Sequence, residues 1–265
     1  MEPSDAHLHN RNAWDRLAAK GDRLARPARD EDFTDPLATV DGMGWLGGNI
    51  HGKRVLCLAA GGGRQGPIYA AAGAEVTVFD LSPAMLELDR VVSEERKLPL
   101  RTVEGSMDNL GVFLDQSFDI VIHPVSTCYI PDVRPVYTEV SRVLIPGGIY
   151  ISQHKQPTSL QSDIFPVAEN YQIRQNCYEK TPLPSEARPN PIREIGAREY
   201  IHRWEELIGA MCMAGFVIEA LTEPVHAVKD AAHGTFGHRS QFLPPYVRIK
   251  AMKRKTGVAD TRIII

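Results

Sequence analysis

A glycine cluster and an acidic residue lie about 20 residues apart, each after an apolar run, which is the spacing of a nucleotide-binding βαβ unit. Glycines fill positions 61–63, two alanines after the run at 55–58, and Asp80 follows the run at 76–79. Glycines permit positive φ angles and let a ligand approach the main chain, and the carboxylate can accept hydrogen bonds from both ribose hydroxyls. The pattern therefore predicts a ligand that contains adenosine.

Two histidines are candidates for proton transfer. His123 ends the short strand predicted at 119–123, and open α/β sheets bind their ligands at the carboxyl ends of such strands. This histidine could act as a general base or only line the cofactor. His202, in a helix predicted at 198–213, could face the active site, although surface exposure is the default. We take both as candidate catalytic residues.

The other residue types that bind metals or form disulfides show no regular spacing. His226, His233 and His238 follow no zinc-ligand pattern, and the four cysteines are far apart without a C-x-x-C pair. We therefore predict no metal site and no disulfide framework, and this cysteine usage fits a reducing cytoplasm.

The elements that position these residues alternate between strands and helices, which predicts a parallel sheet covered on both faces. One helix is predicted from Asn10 to about Arg26, and another follows Ser82-Pro83, which has the form of an N-cap and a first-turn proline. The predicted strands lie at 54–58, 75–79, 100–104, 119–123, 149–153, 216–222 and 246–252. The fold class is α/β: a seven-stranded, mostly parallel sheet with helices on both faces and an antiparallel C-terminal hairpin.

Two segments outside this alternation are interpreted as covers for the site. Residues 1–48 form a predicted N-terminal helical lid. Residues 49–265 form the main domain, which contains a stretch at about 155–197 that is rich in proline and polar residues and has no clear period. This stretch resembles an inserted lid more than a second domain.

Composition restricts the partners of the chain. The 265 residues carry a formal net charge of −3 with no basic block, which argues against non-specific nucleic-acid binding. No segment approaches the roughly 18 uninterrupted apolar residues of a membrane span, and the N-terminus lacks a basic-then-apolar signal pattern. We expect a cytoplasmic protein, monomeric or homodimeric, without nucleic-acid or membrane partners.

Residues 50–153, and more loosely 198–252, resemble the class I S-adenosylmethionine-dependent methyltransferases, which have a Rossmann-like fold. The glycine turn of that family, acidic-x-Gly-x-Gly-x-Gly, falls on Cys57, Ala59, Gly61 and Gly63. Cys57 replaces an acidic residue that often orders the turn, and Ala59 replaces the first glycine. The stretch LAAGGGRQG, together with the early NRNAW segment, is similar to a bacterial subgroup of the family.

The resemblance implies a role for each site residue. Asp80 would hold the ribose, and Leu81 would pack beside the adenine. Ser106 stands where the family often has an aspartate bound to the adenine amino group, Met107 would pack on the ring, and Asp108 could substitute for Ser106. The implied cofactor-binding set is Ala59, Ala60, Gly61, Gly63, Asp80, Leu81, Ser106, Met107, Asp108 and His123.

The implied activity is transfer of a methyl group from S-adenosyl-L-methionine to an oxygen, nitrogen or carbon atom of a small-molecule acceptor. Such a displacement needs proximity and alignment, and it needs a general base only when the acceptor must lose a proton. Two alternatives stay open. Gly61, Gly63 and Gly66 can be read as the turn of an NAD(P)-dependent oxidoreductase. The departures at Cys57 and Ala59 leave room for a non-catalytic cofactor-binding protein.

Overall fold

One sheet organises the part of the chain that the computed structural model describes, residues 5–186 and 192–255. Its strands are β1 (Arg54–Leu58), β2 (Glu75–Asp80), β3 (Leu100–Glu104), β4 (Phe118–His123), β5 (Leu144–Lys155), β6 (Phe216–Thr222) and β7 (Tyr246–Lys253). They lie in the order β3–β2–β1–β4–β5–β7–β6. The order reverses between β1 and β4, which opens a crevice at the carboxyl ends of these strands.

The predicted topology is confirmed. Strands β1 to β5 pair in parallel, and β7 runs antiparallel to both β5 and β6. Strand β5 is longer than predicted because it begins at Leu144, before the Pro146-Gly147-Gly148 turn. The partner of Leu144 is Phe118, and regular pairing with β4 resumes only at Ile149. The turn therefore loops out of the strand without ending it.

Helices cover both faces of the sheet, as predicted. They are α1 (Asp5–Ala19), α2 (Pro36–Val40), α3 (Gln65–Ala71), α4 (Pro83–Arg96), α5 (Arg134–Val143), α6 (Pro157–Gln161), α7 (Ala210–Met213) and α8 (Phe236–Arg239). Successive side chains of β1 point to opposite faces. Val55 and Cys57 join the core with α3 and α4, whereas Leu56 and Leu58 join the core with α5 and α7.

Helix boundaries follow local chemistry at two places. The N-cap predicted at Ser82 is confirmed, because its hydroxyl accepts a hydrogen bond from the Met85 amide at 3.1 Å. The first helix begins before Asn10, at Asp5, and it ends earlier than predicted. Gly21 adopts a φ of 62°, and a helix does not continue through this left-handed conformation.

The helix predicted at 198–213 is wrong in its first half. Residues 198–203 are not helical, and a π-helical turn at Glu205–Gly209 leads directly into α7. The amide of Tyr200 donates a hydrogen bond to the Cys128 carbonyl at 2.7 Å, which ties this segment to the loop after β4. A tertiary hydrogen bond therefore replaces the helical bonds that the apolar spacing predicted.

Candidate functional site

A cavity of about 460 Å³ lies at the carboxyl ends of β1, β2 and β4. Helix α1 forms one of its walls and contributes His7, Asn10 and Trp14. The predicted cofactor residues that line the cavity are Ala59, Ala60, Gly61, Asp80, Leu81, Ser106 and Met107. The three others, which stand outside this lining, are Gly63, Asp108 and His123. The fold thus brings most of the predicted set to one place.

The turn between β1 and α3 lies against Asp80. The Asp80 carboxylate accepts hydrogen bonds from the Gly61 and Ser82 amides, each at 2.9 Å. Burial raises the pKa of Asp80, and these amide hydrogen bonds oppose that shift. A Cβ atom at Gly61 would lie 2.8 Å from the Met85 Cβ, so glycine permits this close approach. Ala59 adopts a φ of 47°, a left-handed conformation that glycine adopts more easily.

Ser106 and Asp108 form a hydrogen-bonded group with His7 of α1. The Ser106 hydroxyl donates to the Asp108 carboxylate at 2.5 Å, and His7 Nε2 lies 3.1 Å from the other carboxylate oxygen. Burial raises the pKa of Asp108, but the hydrogen bonds from His7 and Ser106 outweigh burial and hold this pKa below its usual value. The hydrogen bond with Asp108 also raises the pKa of His7. Sequence reasoning missed His7, because no local pattern links it to a serine 99 positions away.

His123 lies outside the lining of this cavity and instead borders a second cavity, which adjoins the first. It is 1% exposed, its Nδ1 lies 2.7 Å from the Tyr150 hydroxyl, and its Nε2 lies 2.6 Å from the Ser126 hydroxyl. Burial lowers the pKa of His123 to about 3. Because both ring nitrogens are engaged, the geometry makes His123 a support for Ser126, which lines the cavity. Its predicted role as a general base is corrected accordingly.

His202 also lies away from the cavity. It is 4% exposed, and its Nε2 lies 3.0 Å from the Thr127 carbonyl oxygen and 2.9 Å from that of Ile130. Burial lowers the pKa of His202. This side chain joins the non-helical segment at 198–203 to the loop after β4. The prediction that a helix presents His202 to the active site is therefore corrected to a structural placement.

A second cavity, of about 530 Å³, adjoins the first on the side of α2. The two share Arg64, Gln65, Pro124 and Gln153. Among the described residues, Gln65 Oε1 is buried without a hydrogen-bond partner. A buried acceptor left unpaired is unfavourable, so this oxygen is suited to a donor group of a ligand at the junction of the cavities.

A buried charged cluster, formed by Lys155, Glu194 and Glu199, closes the far end of the first cavity. Lys155 Nζ lies 2.6 Å from a Glu194 carboxylate oxygen and 2.9 Å from one of Glu199, and the lysine side chain is 1% exposed. Burial lowers the pKa of Lys155, but the two carboxylates outweigh burial and raise it, so the amine stays charged. Glu194 lines the cavity. No sequence signal marks the cluster, because Lys155 and Glu194 lie 39 positions apart in the chain.

The histidines of the 223–244 loop make separate contacts. His238 Nδ1 lies 2.8 Å from the Tyr171 hydroxyl, and the His226 ring packs against the Tyr246 ring at a centroid distance of 5.4 Å. Within residues 5–186 and 192–255, no group of His, Cys, Asp or Glu side chains has the arrangement of a metal site. None of the helices in these same residues is long and apolar enough to cross a membrane.

Comparison with known proteins identifies the family. Residues 56–152 match the family model of a methyltransferase domain. The chain is 35% identical over 229 residues to the uncharacterized methyltransferase YbaJ of Bacillus subtilis, which covers 81% of this chain and 89% of that protein. The chain belongs to the class I S-adenosylmethionine-dependent methyltransferases. The methyltransferase is therefore an enzyme that uses S-adenosyl-L-methionine, and the nicotinamide and non-catalytic alternatives are set aside.

Solved structures share the fold of this methyltransferase. An S-adenosylmethionine-dependent methyltransferase from Mesorhizobium loti matches with a TM-score of 0.62 and 20% identity, over 77% of this chain and 93% of that chain. Geranyl diphosphate C-methyltransferase from Streptomyces coelicolor, solved with Mg²⁺, geranyl diphosphate and S-adenosyl-L-homocysteine, matches with a TM-score of 0.63 and 14% identity, over 96% and 100% of the two chains. These two structural matches support the Rossmann-like architecture. At such low sequence identities they carry no information about the acceptor.

Proposed function

We propose that this methyltransferase transfers a methyl group from S-adenosyl-L-methionine to a small-molecule acceptor that carries a negative charge. The observation that carries the proposal is one cavity that joins the Asp80 end to an aromatic end beneath α1. Its volume of about 460 Å³ falls within the range of small-molecule sites. The formal net charge of −3 is unfavourable for a nucleic-acid acceptor.

The Asp80 end has the groups that S-adenosyl-L-methionine requires. The Asp80 carboxylate, fixed by two amides at 2.9 Å, is placed to accept hydrogen bonds from the ribose hydroxyls. Leu81 and Met107 offer apolar contacts to the adenine, and the Ser106–Asp108 group lies beside them. The orphan oxygen of Gln65 is suited to accept a hydrogen bond from the ammonium group of the methionine part.

The aromatic end is the proposed acceptor site. The rings of Trp14 and Tyr129 meet edge to face at a centroid distance of 5.5 Å, and Tyr246 lines the same end. Aromatic side chains bury large apolar areas, which suits an acceptor with a flat or apolar body. Trp14 belongs to α1, and Glu194 belongs to the segment predicted to be an inserted lid. We propose that both segments select the acceptor.

Two arginines at the cavity favour an acceptor with a carboxylate or phosphate group. Arg23 and Arg26 line the cavity from the segment that follows α1, and both are exposed. Within the described part of the chain, neither has a carboxylate partner, whereas Arg11, on α1 itself, pairs with Glu104 at 3.0 Å. Guanidinium groups bind carboxylates and phosphates in a bidentate manner. A ligand anion would supply the partner that these two arginines lack.

When bound, S-adenosyl-L-methionine would supply a methyl group on a sulfonium, and the neutral thioether released on transfer is an excellent leaving group. The task of this chain is then to align the acceptor and to exclude water. Glu194 is the carboxylate nearest the aromatic end, but its salt bridge with Lys155 and its lowered pKa make it a weak base. The proposal therefore covers oxygen, nitrogen and carbon acceptors.

The proposal is tested with purified protein, isotope-labelled methyl donor and a cell extract. After the reaction, ultrafiltration separates small molecules from macromolecules, and anion exchange divides the small molecules by charge. We expect the label in the filtrate, in the fraction that the anion exchanger retains. Label in nucleic acid or protein would refute a small-molecule acceptor. The unreacted donor is a cation and passes into the unretained fraction, where a parallel reaction without the enzyme measures it. Enzyme-dependent label in the unretained fraction, beyond that of the donor, would refute the negative charge.

A matched pair of variants tests the role of the arginines. Arg23→Gln/Arg26→Gln should lower the rate of labelling of the retained fraction about tenfold, because one charged hydrogen bond contributes roughly 1.5 kcal/mol or more. Arg101→Gln, on the exposed part of β3, is the control and should keep the rate of the unaltered protein. Equal rates for both variants would contradict an arginine-bound acceptor.

A further inference from the structure

A second carboxylate lies beneath the glycine turn, on the side away from the cavity. Asp89 is at the middle of α4 and has no exposed surface. Its Oδ2 accepts a hydrogen bond from the Gly62 amide at 2.9 Å, and the same amide lies 3.0 Å from the Met85 carbonyl oxygen. The adjacent amide, that of Gly61, donates to Asp80. Two consecutive amides of the turn are thus each held by a carboxylate.

The location of Asp89 is unusual for an aspartate. A fully buried carboxylate on an amphipathic helix is unfavourable unless it is paired, and an apolar side chain is the ordinary choice there. Asp89 has no salt bridge among the described residues, and its Oδ1 has no hydrogen-bond partner there. Its contacts with the turn are therefore the feature of the structure that accounts for a carboxylate at this position.

Asp89 lies close to Cys57, the residue at the family's acidic position. Cys57 is fully buried at the end of β1, in the core shared with α3 and α4. Burial, and next the negative charge of Asp89, raise the pKa of the Cys57 thiol, which stays neutral. Strand β1 therefore supplies no negative charge to the turn, whereas α4 supplies one through Asp89.

We propose that Asp89 is the positioning residue of the glycine turn and takes the place of the acidic residue that Cys57 has replaced. This inference rests on the proposed cofactor site, because the turn that Asp89 holds also contributes Ala60 and Gly61 to the cavity. A turn held from both sides presents its main chain to the cofactor in one conformation. Binding then requires less ordering of the protein.

Three variants and S-adenosyl-L-homocysteine as the probe test the assignment by calorimetry. Asp89→Ala should weaken binding at least tenfold, because the Gly62 amide loses its charged acceptor. Asp89→Asn keeps one acceptor oxygen and should weaken binding less. Asp89→Ala/Cys57→Asp returns a carboxylate from the strand and should regain most of the affinity. Unchanged affinity in Asp89→Ala, or no recovery in the double variant, would overturn the proposal.

Affinity and stability respond differently to pH if Asp89 acts on the turn. Burial raises the pKa of Asp89 to about 7, and Cys57 of β1, Asp80 of β2 and Arg90 of α4 are the ionisable groups around it. Below that pH the protonated carboxyl is a poorer acceptor for the Gly62 amide, so binding should weaken as the pH falls. The same raised pKa makes the Asp89 contribution to folding more favourable at low pH.

Asp89→Asn serves as the reference for this measurement, since it carries no titrating group. We expect the affinity of the unaltered protein to fall more steeply than that of Asp89→Asn between about pH 8 and pH 6. Parallel pH profiles would overturn the proposal. Failure of the proposed cofactor site is distinguishable, because the unaltered protein and Asp80→Ala would then bind the probe equally. If only Asp80→Ala loses affinity, the cofactor site stands and the role of Asp89 is refuted.

Discussion

At the scale of single residues, the proposed cofactor site depends most on Asp80. Its carboxylate is fixed by the Gly61 and Ser82 amides and borders the cavity. We predict that Asp80→Ala weakens S-adenosyl-L-homocysteine binding about 10- to 100-fold, since hydrogen bonds to a charged group contribute roughly 1.5–3 kcal/mol. Titration calorimetry measures this change. Glu95→Ala, an exposed position of α4, is the control and should bind normally; equal affinity of both variants would remove the ribose assignment.

Lys155 supports a second residue-scale prediction, on folding. Lys155→Met leaves the Glu194 carboxylate buried without its cation. Glu199 also loses Lys155 and keeps Arg193, at 3.4 Å. Breaking a buried pair costs about 3–5 kcal/mol. Urea denaturation near neutral pH should show this loss in the free energy of unfolding. The loss should shrink at acid pH, where the two carboxylates take up protons. Lys180→Met, at a half-exposed surface salt bridge, is the control, with an expected loss below about 1 kcal/mol.

Helix α1 is the element that covers the cavity, and Asn10 fastens it. The Asn10 amide donates to the Tyr129 and Arg198 carbonyls at 2.8 and 3.1 Å, and its oxygen accepts from the Arg198 amide at 2.7 Å. We predict that Asn10→Ala loosens α1, because buried partners are left unpaired at a cost of roughly 1–3 kcal/mol each. Hydrogen exchange of the α1 amides should accelerate at least tenfold.

Leu8→Ala is the matched control for Asn10→Ala, since Leu8 lies on α1 and is 47% exposed. Hydrogen exchange of the α1 amides in Leu8→Ala should be close to that of the unaltered protein. Binding of S-adenosyl-L-homocysteine should slow α1 exchange in the unaltered protein, because this helix would be held against the ligand. Exchange that does not respond to Asn10→Ala or to the ligand would contradict the proposed N-terminal lid.

Stability of the whole molecule depends on two histidines that are buried without charge. Burial lowers the pKa of His123 and of His154 to about 3 each. Because these values lie below the unfolded value of about 6.5, the unfolded chain binds more protons, and stability falls as the pH drops from about 6.5 toward 3. Each histidine contributes up to about 1.4 kcal/mol per pH unit.

His154→Gln should therefore lose less stability on acidification than the unaltered protein, even if it is less stable at neutral pH. Urea denaturation at neutral pH and near pH 5 measures the difference. His233→Gln, at an exposed position, is the control and should keep the pH dependence of the unaltered protein. An unchanged slope in His154→Gln would contradict its burial in the neutral form.

Much of the fold, and the cofactor end of the site, could be predicted from local patterns. Apolar runs, the Ser82 N-cap and the glycine cluster act over a few residues, so they are legible in sequence. The predicted helix at 198–213 failed, because hydrogen bonds with the loop after β4 outweigh its helical spacing. His123 and His202 were predicted from chain position, and burial, which position does not reveal, gave them structural roles.

The sequence by itself determined the βαβ unit, the alternation that makes a parallel sheet, and the pairing of the glycine turn with Asp80. Steric limits on the main chain and the two-residue period of strands act locally, which makes these features readable. Only the tertiary structure decided that His7 meets Asp108, that Lys155 meets Glu194, and that Asp89 holds Gly62. These contacts join distant segments, and packing of the sheet against its helices brings them together.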